Sequence, residues 1–328
     1  MPHFEVENEE LRAIAANIPE VLSTARSTST LKSYKTYFER WEKWSNRFHE
    51  VTAMPAEPKF ISIYLISLLQ SDFSFSVISQ TWYAIKYYHD ICNFPSPSDN
   101  VCVNILEAIK RILAKPSNKK LPINVNHLRN VLEAFGGQKI GKLEHLRTIT
   151  FAIISYAGFL RFSECINIRR SDILIAETHA RIFIEKSKTD KYRDGHWLHV
   201  ARLDSDLCPI KMLERYFTEA GICRGDTKFI FRAIQSTSKG ETLRQIDKHV
   251  CYETIRKQVL NAIKPFVEDI GKYGLHSLRR GGATAAANLG VNDRLFQKHG
   301  RWKSENIKNG YVEEDLNSLL HVTRNIGL

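Results

Sequence analysis

The chain has no long apolar run. Its most hydrophobic stretch, Phe60 to Leu69, is far shorter than the ~20 residues a membrane-spanning helix needs, so no membrane partner is expected. Cysteine is sparse and dispersed. Cys92, Cys102, Cys165, Cys208, Cys223 and Cys251 include no Cys-x-x-Cys pair, which points to buried or free thiols in a reducing, intracellular compartment rather than to disulfides or zinc. No acidic cluster has metal-ligand spacing, and no repeats or low-complexity tracts stand out. Residues Met1 to Glu10 are acidic and lack an apolar core, so no secretory signal is expected.

What is present is positive charge. Forty-seven Lys and Arg against 36 Asp and Glu leave a formal charge of +11, and a cationic surface favours polyanions, nucleic acid first among them. Hydrophobic residues at 43% suit a globular protein, and 328 residues exceed what one core usually needs, so two domains are expected.

From Thr28 to Lys115 the periodicity predicts four helices. In the first, Leu31, Tyr34, Tyr37, Phe38, Trp41, Trp44 and Phe48 recur at helical spacing and mark a core face. Lys32, Lys35, Arg40, Lys43 and Arg47 fall mostly opposite, interrupted only by Glu39 and Glu42. That stripe suits a DNA-facing helix, and equally a solvated one. Further helices are expected over 57–70, 75–92 and 101–115, followed by the Pro- and Lys-rich linker from Lys115 to Ile123, which carries Lys119 and Lys120. The domain boundary is placed between 118 and 119. Beyond it, helices are expected over 126–135, 143–156, 163–168, 209–220, 252–270, 278–289 and 313–321. The alternation in 181–185 and 196–201 predicts a hairpin, with a cationic loop containing Lys186, Lys188 and Lys191 between its strands.

The second half holds a set of residues suited to phosphodiester chemistry. A free tyrosine phenol titrates near ~10, so it needs help to become a nucleophile. Two arginines can hold both non-bridging oxygens and stabilise the developing charge without a metal or cofactor. Gly158-Phe-Leu-Arg161-Phe-Ser-Glu164 places Arg161 after a glycine break, with Glu164 on the same helical face to brace it. In Gly274-Leu-His276-Ser-Leu-Arg279-Arg-Gly-Gly, His276 and Arg279 again share a face, at a helix start that favours an anion. Gly300-Arg-Trp302-Lys-Ser-Glu-Asn-Ile-Lys-Asn-Gly-Tyr311 sets Trp302 nine residues before Tyr311. His299 competes with Trp302 for the same role. His196 and His199 fall on opposite faces of a strand, which argues against a metal pair. Arg280 is read as a DNA-backbone or surface residue.

These strings resemble the tyrosine recombinase (phage-integrase-like) family over nearly the whole chain. The resemblance implies an α+β, mostly helical fold. It comprises an N-terminal helical core-binding (SAM-like) domain, 1–118, and a C-terminal catalytic domain with a small β-sheet, 119–328. By position, Tyr311 would attack the scissile phosphate to give a 3′-phosphotyrosyl link, and Arg161 and Arg279 would clamp the phosphoryl oxygens. His276 would accept the tyrosine proton or bond the phosphate. Trp302, with one N–H donor and no basic site, could stabilise an oxygen but not act as a base. Ser187-Lys188-Thr189 resembles the family best around the general acid, although Lys186 and Lys191 share the loop. The implied partners are double-stranded DNA and further copies of the chain, a tetramer on DNA. The resemblance also implies that Leu316, Leu319 and Leu320 either cover their own domain or dock on a neighbouring protomer. The Gly-Arg-Trp-Lys-Ser string is similar to recombinases of eukaryotic mobile elements (crypton or tyrosine-recombinase retrotransposon type), whose site of action would be the nucleus; a prokaryotic host would place it in the cytoplasm. A type IB topoisomerase uses nearly the same residues, but its counterpart of His276 is generally Lys. A domesticated transposon protein that only binds DNA is the non-enzymatic alternative.

Overall fold

The computed structural model describes residues 6–116, 119–185, 190, 194–238, 240–313, 319–320 and 323–325. The chain divides into two compact units, Met1–Ser117 and Asn118–Leu328.

The first unit is helical: α1 (Glu9–Ala15), α2 (Ile18–Thr24), α3 (Thr28–Ser45), α4 (Pro58–Gln70), α5 (Phe75–Ile91) and α6 (Asn100–Ile112). Ser27 caps α3 by accepting from the Thr30 amide at 3.2 Å, and Asp99 caps α6 through the Cys102 amide at 2.8 Å. Pro58 opens α4, where its missing N–H costs nothing. α3 packs on α5 and α4 on α6, enclosing Phe38, Trp41, Ile61, Tyr64, Leu65, Ile78 and Ile85. The apolar stripe of α3 is thus core, with Trp41 also donating to the Ala53 carbonyl at 2.9 Å. Lys32, Lys35, Lys43 and Arg47 are exposed on its other side. Arg40 is half-buried, its guanidinium lying over the Phe73 ring at 5.0 Å. The short helices α1 and α2 were not anticipated; α1 buries nothing, so it leaves no core signal in the sequence.

The second unit is built around α8 (Leu143–Ala157), whose residues from Leu146 to Ser155 are all buried. α7 (Val125–Ala134), α10 (Pro209–Glu219), α11 (Tyr252–Ile263) and α12 (His276–Asn288) pack against it. A short α9 (Phe162–Ile166) follows α8. A three-stranded antiparallel sheet, β1 (Ile173–Ile175), β2 (His179–Ile184) and β3 (His196–Ala201), has the order β1-β2-β3. Its register sets Ile182 opposite Leu198 and turns Ala180, Ile182, Ile184, Leu198 and Val200 inward. A second hairpin pairs β4 (Ile234–Thr237) with β5 (Gly240–Leu243), and α13 (Asp293–Gly300) and α14 (Glu305–Asn309) close the described fold. The architecture is α+β and mostly helical, as expected.

Three expectations need correction. The helix expected over 252–270 stops at Ile263, because Pro265 lacks the N–H and crowds the preceding turn. The linker expected to reach Ile123 ends sooner. The Leu121 and Ile123 amides donate to the Lys272 and Ser277 carbonyls at 2.8 and 3.0 Å, and Ile123 is fully buried. The 278–289 helix starts earlier, at His276. The 313–321 helix lies largely outside the described residues.

Candidate active site

α8 ends at Ala157, and Gly158 follows with no room for a side chain, since a Cβ would come within 2.5 Å of Leu198. Phe159 then takes a left-handed backbone, φ 47°, and the chain turns sharply into α9. Arg161 stands at the start of that helix. Glu164 accepts from the Arg161 amide at 2.9 Å and from its Nη1 at 2.6 Å, so the bracing expected from the i, i+3 spacing is present.

Arg279 reaches the same place from the first turn of α12. Its side chain is fully buried and lies 3.7 Å from Glu164. Its Nη1 donates to the Phe159 carbonyl and its Nη2 to that of Gly300 at 2.7 Å. Arg161 and Arg279, distant in sequence, therefore meet at one carboxylate.

Tyr311 follows α14, and its ring lies over the Arg279 guanidinium, 4.8 Å from centroid to Cζ. The His276 ring is 5.2 Å from it and the Trp302 ring 5.4 Å. Trp302 is buried, and its indole N–H has no partner among the described residues. It packs beneath Gly300, where a Cβ would sit 2.1 Å from the indole. His299, the competitor, points elsewhere: its Nε2 meets the Ala157 carbonyl at 2.8 Å and its ring packs on Phe159. A cleft of about 350 Å³ opens beside the phenol, lined by Lys119, Lys120, His276, Arg280, Ile307 and Tyr311 among others.

Burial sets the electrostatics. Desolvation pushes Glu164 up, yet Arg301, Arg161 and Arg279 outweigh it and hold the carboxyl below its usual range. His276 keeps an exposed edge, yet partial desolvation, with Arg279 and Arg161 adding to it, lowers its pKa, so the imidazole is neutral near pH 7 and able to take a proton. Burial and the Arg161 charge bring Arg279 down to about 10, which still leaves it cationic.

The remaining expected residues divide as follows. Lys188, like Lys186 and Lys191, lies outside the described residues. Lys119 and Lys120 are exposed. Arg280 is not free for a ligand: its side chain is 12% exposed and pairs with Glu313 at 3.3 Å. His196 and His199 are held apart by the pleat of β3, and no group of metal-ligating side chains occurs among the described residues. One residue escaped the sequence reading. Arg301, named there only within the Gly300-Arg-Trp302 string, has an 8% exposed side chain bonded to Glu164 at 3.1 Å.

An α+β scaffold that gathers two arginines, an imidazole and an indole around a phenol defines an enzyme of the tyrosine recombinase class. Residues 124–317 match the sequence model of the Phage integrase family, and the chain belongs to that family. It is 27% identical to an "Integrase/recombinase xerD homolog" of Selenomonas ruminantium, over 94% of this chain and 88% of the relative. Its fold is similar to that of the XerH site-specific recombinase in a post-cleavage complex with palindromic difH substrate. That match has a TM-score of 0.59 and 17% identity, over 90% of this chain and 77% of that one. It is also similar to a lambda integrase tetramer bound to a Holliday junction, with a TM-score of 0.58 and 12% identity, over 92% and 77% of the two chains.

Proposed function

We propose that the protein is a site-specific recombinase that cuts and rejoins duplex DNA through a 3′-phosphotyrosyl intermediate. The observation that carries this reading is the meeting of Arg161 and Arg279 at Glu164 beside the phenol of Tyr311. In the proposed step the Tyr311 oxygen attacks the scissile phosphorus, its proton passes to the neutral His276, and the bond from phosphorus to the 5′ oxygen breaks. Lys188 protonates that leaving oxygen. Arg161 and Arg279 bear the charge that develops on the non-bridging oxygens, and the Trp302 N–H is a spare donor for one of them. A 5′-hydroxyl from a second strand reverses the reaction. The bond energy is kept in the phosphotyrosyl link, so neither ATP nor a metal is needed.

In this reading the unit 118–328 is catalytic and the unit 1–117 grips DNA, with Lys32, Lys35, Arg40, Lys43 and Arg47 meeting phosphates. Lys119 and Lys120, at the rim of the cleft, and Arg280 add to that contact, Arg280 once released from Glu313. A tetramer on two duplexes would account for paired strand exchange, by analogy with the lambda integrase assembly. The Gly300-Arg-Trp-Lys-Ser string supports a place among recombinases of eukaryotic mobile elements, acting in the nucleus.

The test is covalent capture. Incubated with a randomised pool of nicked duplexes, which cannot religate, the wild-type chain should form an adduct whose DNA can be sequenced. Tyr311→Phe should bind the recovered sequence yet give no adduct. An adduct from that variant, or none from the wild type on any sequence, overturns the reading.

A further inference from the structure

Arg301 separates Gly300 from Trp302 and holds a left-handed backbone, φ 56°. An L-residue adopts that conformation only where its surroundings compensate. Here the compensation comes from the side chain, which is 8% exposed and runs inward to four acceptors. Its Nη1 donates to the Gly158 carbonyl at 3.2 Å and to its neighbour His299 at 2.9 Å. Its Nη2 donates to the Phe159 carbonyl at 3.0 Å and to Glu164 at 3.1 Å. Gly158 and Phe159 form the turn that delivers Arg161. The Phe159 carbonyl also receives Arg279, and Glu164 holds Arg161.

We infer that Arg301 is a positioning residue, whose guanidinium locks the Trp302 turn to the Arg161 elbow so that Arg161, Arg279 and Trp302 keep one geometry around the phosphate. The inference rests on the transesterification reading and adds a member to that site. Arg301 has no contact with Tyr311 among those described and is not assigned to the reacting atoms. Its effect passes through Glu164 and two backbone carbonyls. Against the burial that raises Glu164, Arg301 is the largest opposing charge, ahead of Arg161 and Arg279. Lysine could keep the charge but not the planar fork that spans four acceptors.

The test compares the full-length wild-type chain with Arg301→Lys and Arg301→Met on a nicked duplex of the captured sequence, made with a phosphodiester or a methylphosphonate at the cleavage position. The methylphosphonate replaces one charged oxygen by a methyl group, so a misplaced cationic clamp matters less there. Adduct formation on the phosphodiester should fall about a hundredfold in Arg301→Met, as expected for a small misplacement of a catalytic group, and less in Arg301→Lys. On the methylphosphonate the variants should come close to the wild type, while thermal midpoint and DNA retention report on folding. If Arg301→Met does not fold, Arg301→Lys makes the same comparison. Wild-type rates on the phosphodiester overturn the inference, as does an equal loss on both substrates, which would mark a purely structural role. A wild-type chain without adducts defeats the reading on which the inference stands, a failure distinct from either of these.

Discussion

Glu164 accepts hydrogen bonds from Arg161 and Arg301, lies 3.7 Å from Arg279, and is itself wholly buried. Taking that carboxylate away leaves three guanidiniums in mutual repulsion with little water to screen them. Glu164→Gln should therefore cost about 3–5 kcal/mol in urea unfolding, the usual penalty for orphaning buried charge; a midpoint near that of the wild type would count against such a central role. At this level the sequence was informative wherever chemistry and local spacing coincide. The pairs Arg161/Glu164 and His276/Arg279 are one helical turn apart, and the Trp302–Tyr311 interval is fixed, so their contexts could be read directly. Arg301 could not be found that way. Its acceptors Gly158 and Phe159 are 143 and 142 positions distant, and no periodicity reports a contact of that span. The ion pair of Arg280 escaped for a related reason: its partner Glu313 comes from beyond α14.

The close approach of α12 to α8 is what brings Arg279 beside the Arg161 elbow. It depends on Gly281 and Gly282, since a Cβ at Gly282 would fall 2.1 Å from the Tyr156 carbonyl and one at Gly281 1.8 Å from that of Ile123. Backbone cannot yield as a flexible side chain can, so Gly282→Ala should destabilise by about 1–3 kcal/mol and slow adduct formation as α12 is pushed outward. A chain unaffected in urea unfolding would contradict that packing. Long elements such as α3, α8 and α11 announce themselves through sustained apolar periodicity. The four- and five-residue pieces β4, β5 and α14 are too short to complete a recognisable period, and α13 has only Phe296 and Gly300 buried. The end of α11 shows the limit from the other side, because its apolar pattern runs on while Pro265 halts the helix.

Five histidines, His89, His127, His196, His276 and His299, are each lowered from the ordinary value of 6.5, with burial the leading cause. The unfolded chain takes up protons below about 6.5 that the folded chain refuses, so stability falls as acid is added through that range and is flat above it with respect to these groups. Urea midpoints should accordingly drop between pH 7.5 and 5.5. A constant or rising midpoint would mean that the imidazoles protonate in place. The overall charge and the presence of two units were legible from composition and from the Pro- and Lys-rich join. What composition could not supply is how tightly that join is held on its C-terminal side, where Leu121 is fastened to Lys272 and Ile123 to Ser277 in the first turn of α12.

The ring of Tyr311 lies over the guanidinium of Arg279, so the proposed nucleophile and the cation proposed to hold the phosphate touch in the free chain. Under the proposed reaction, seating a phosphate on Arg279 and freeing the phenol to attack it are then a single movement.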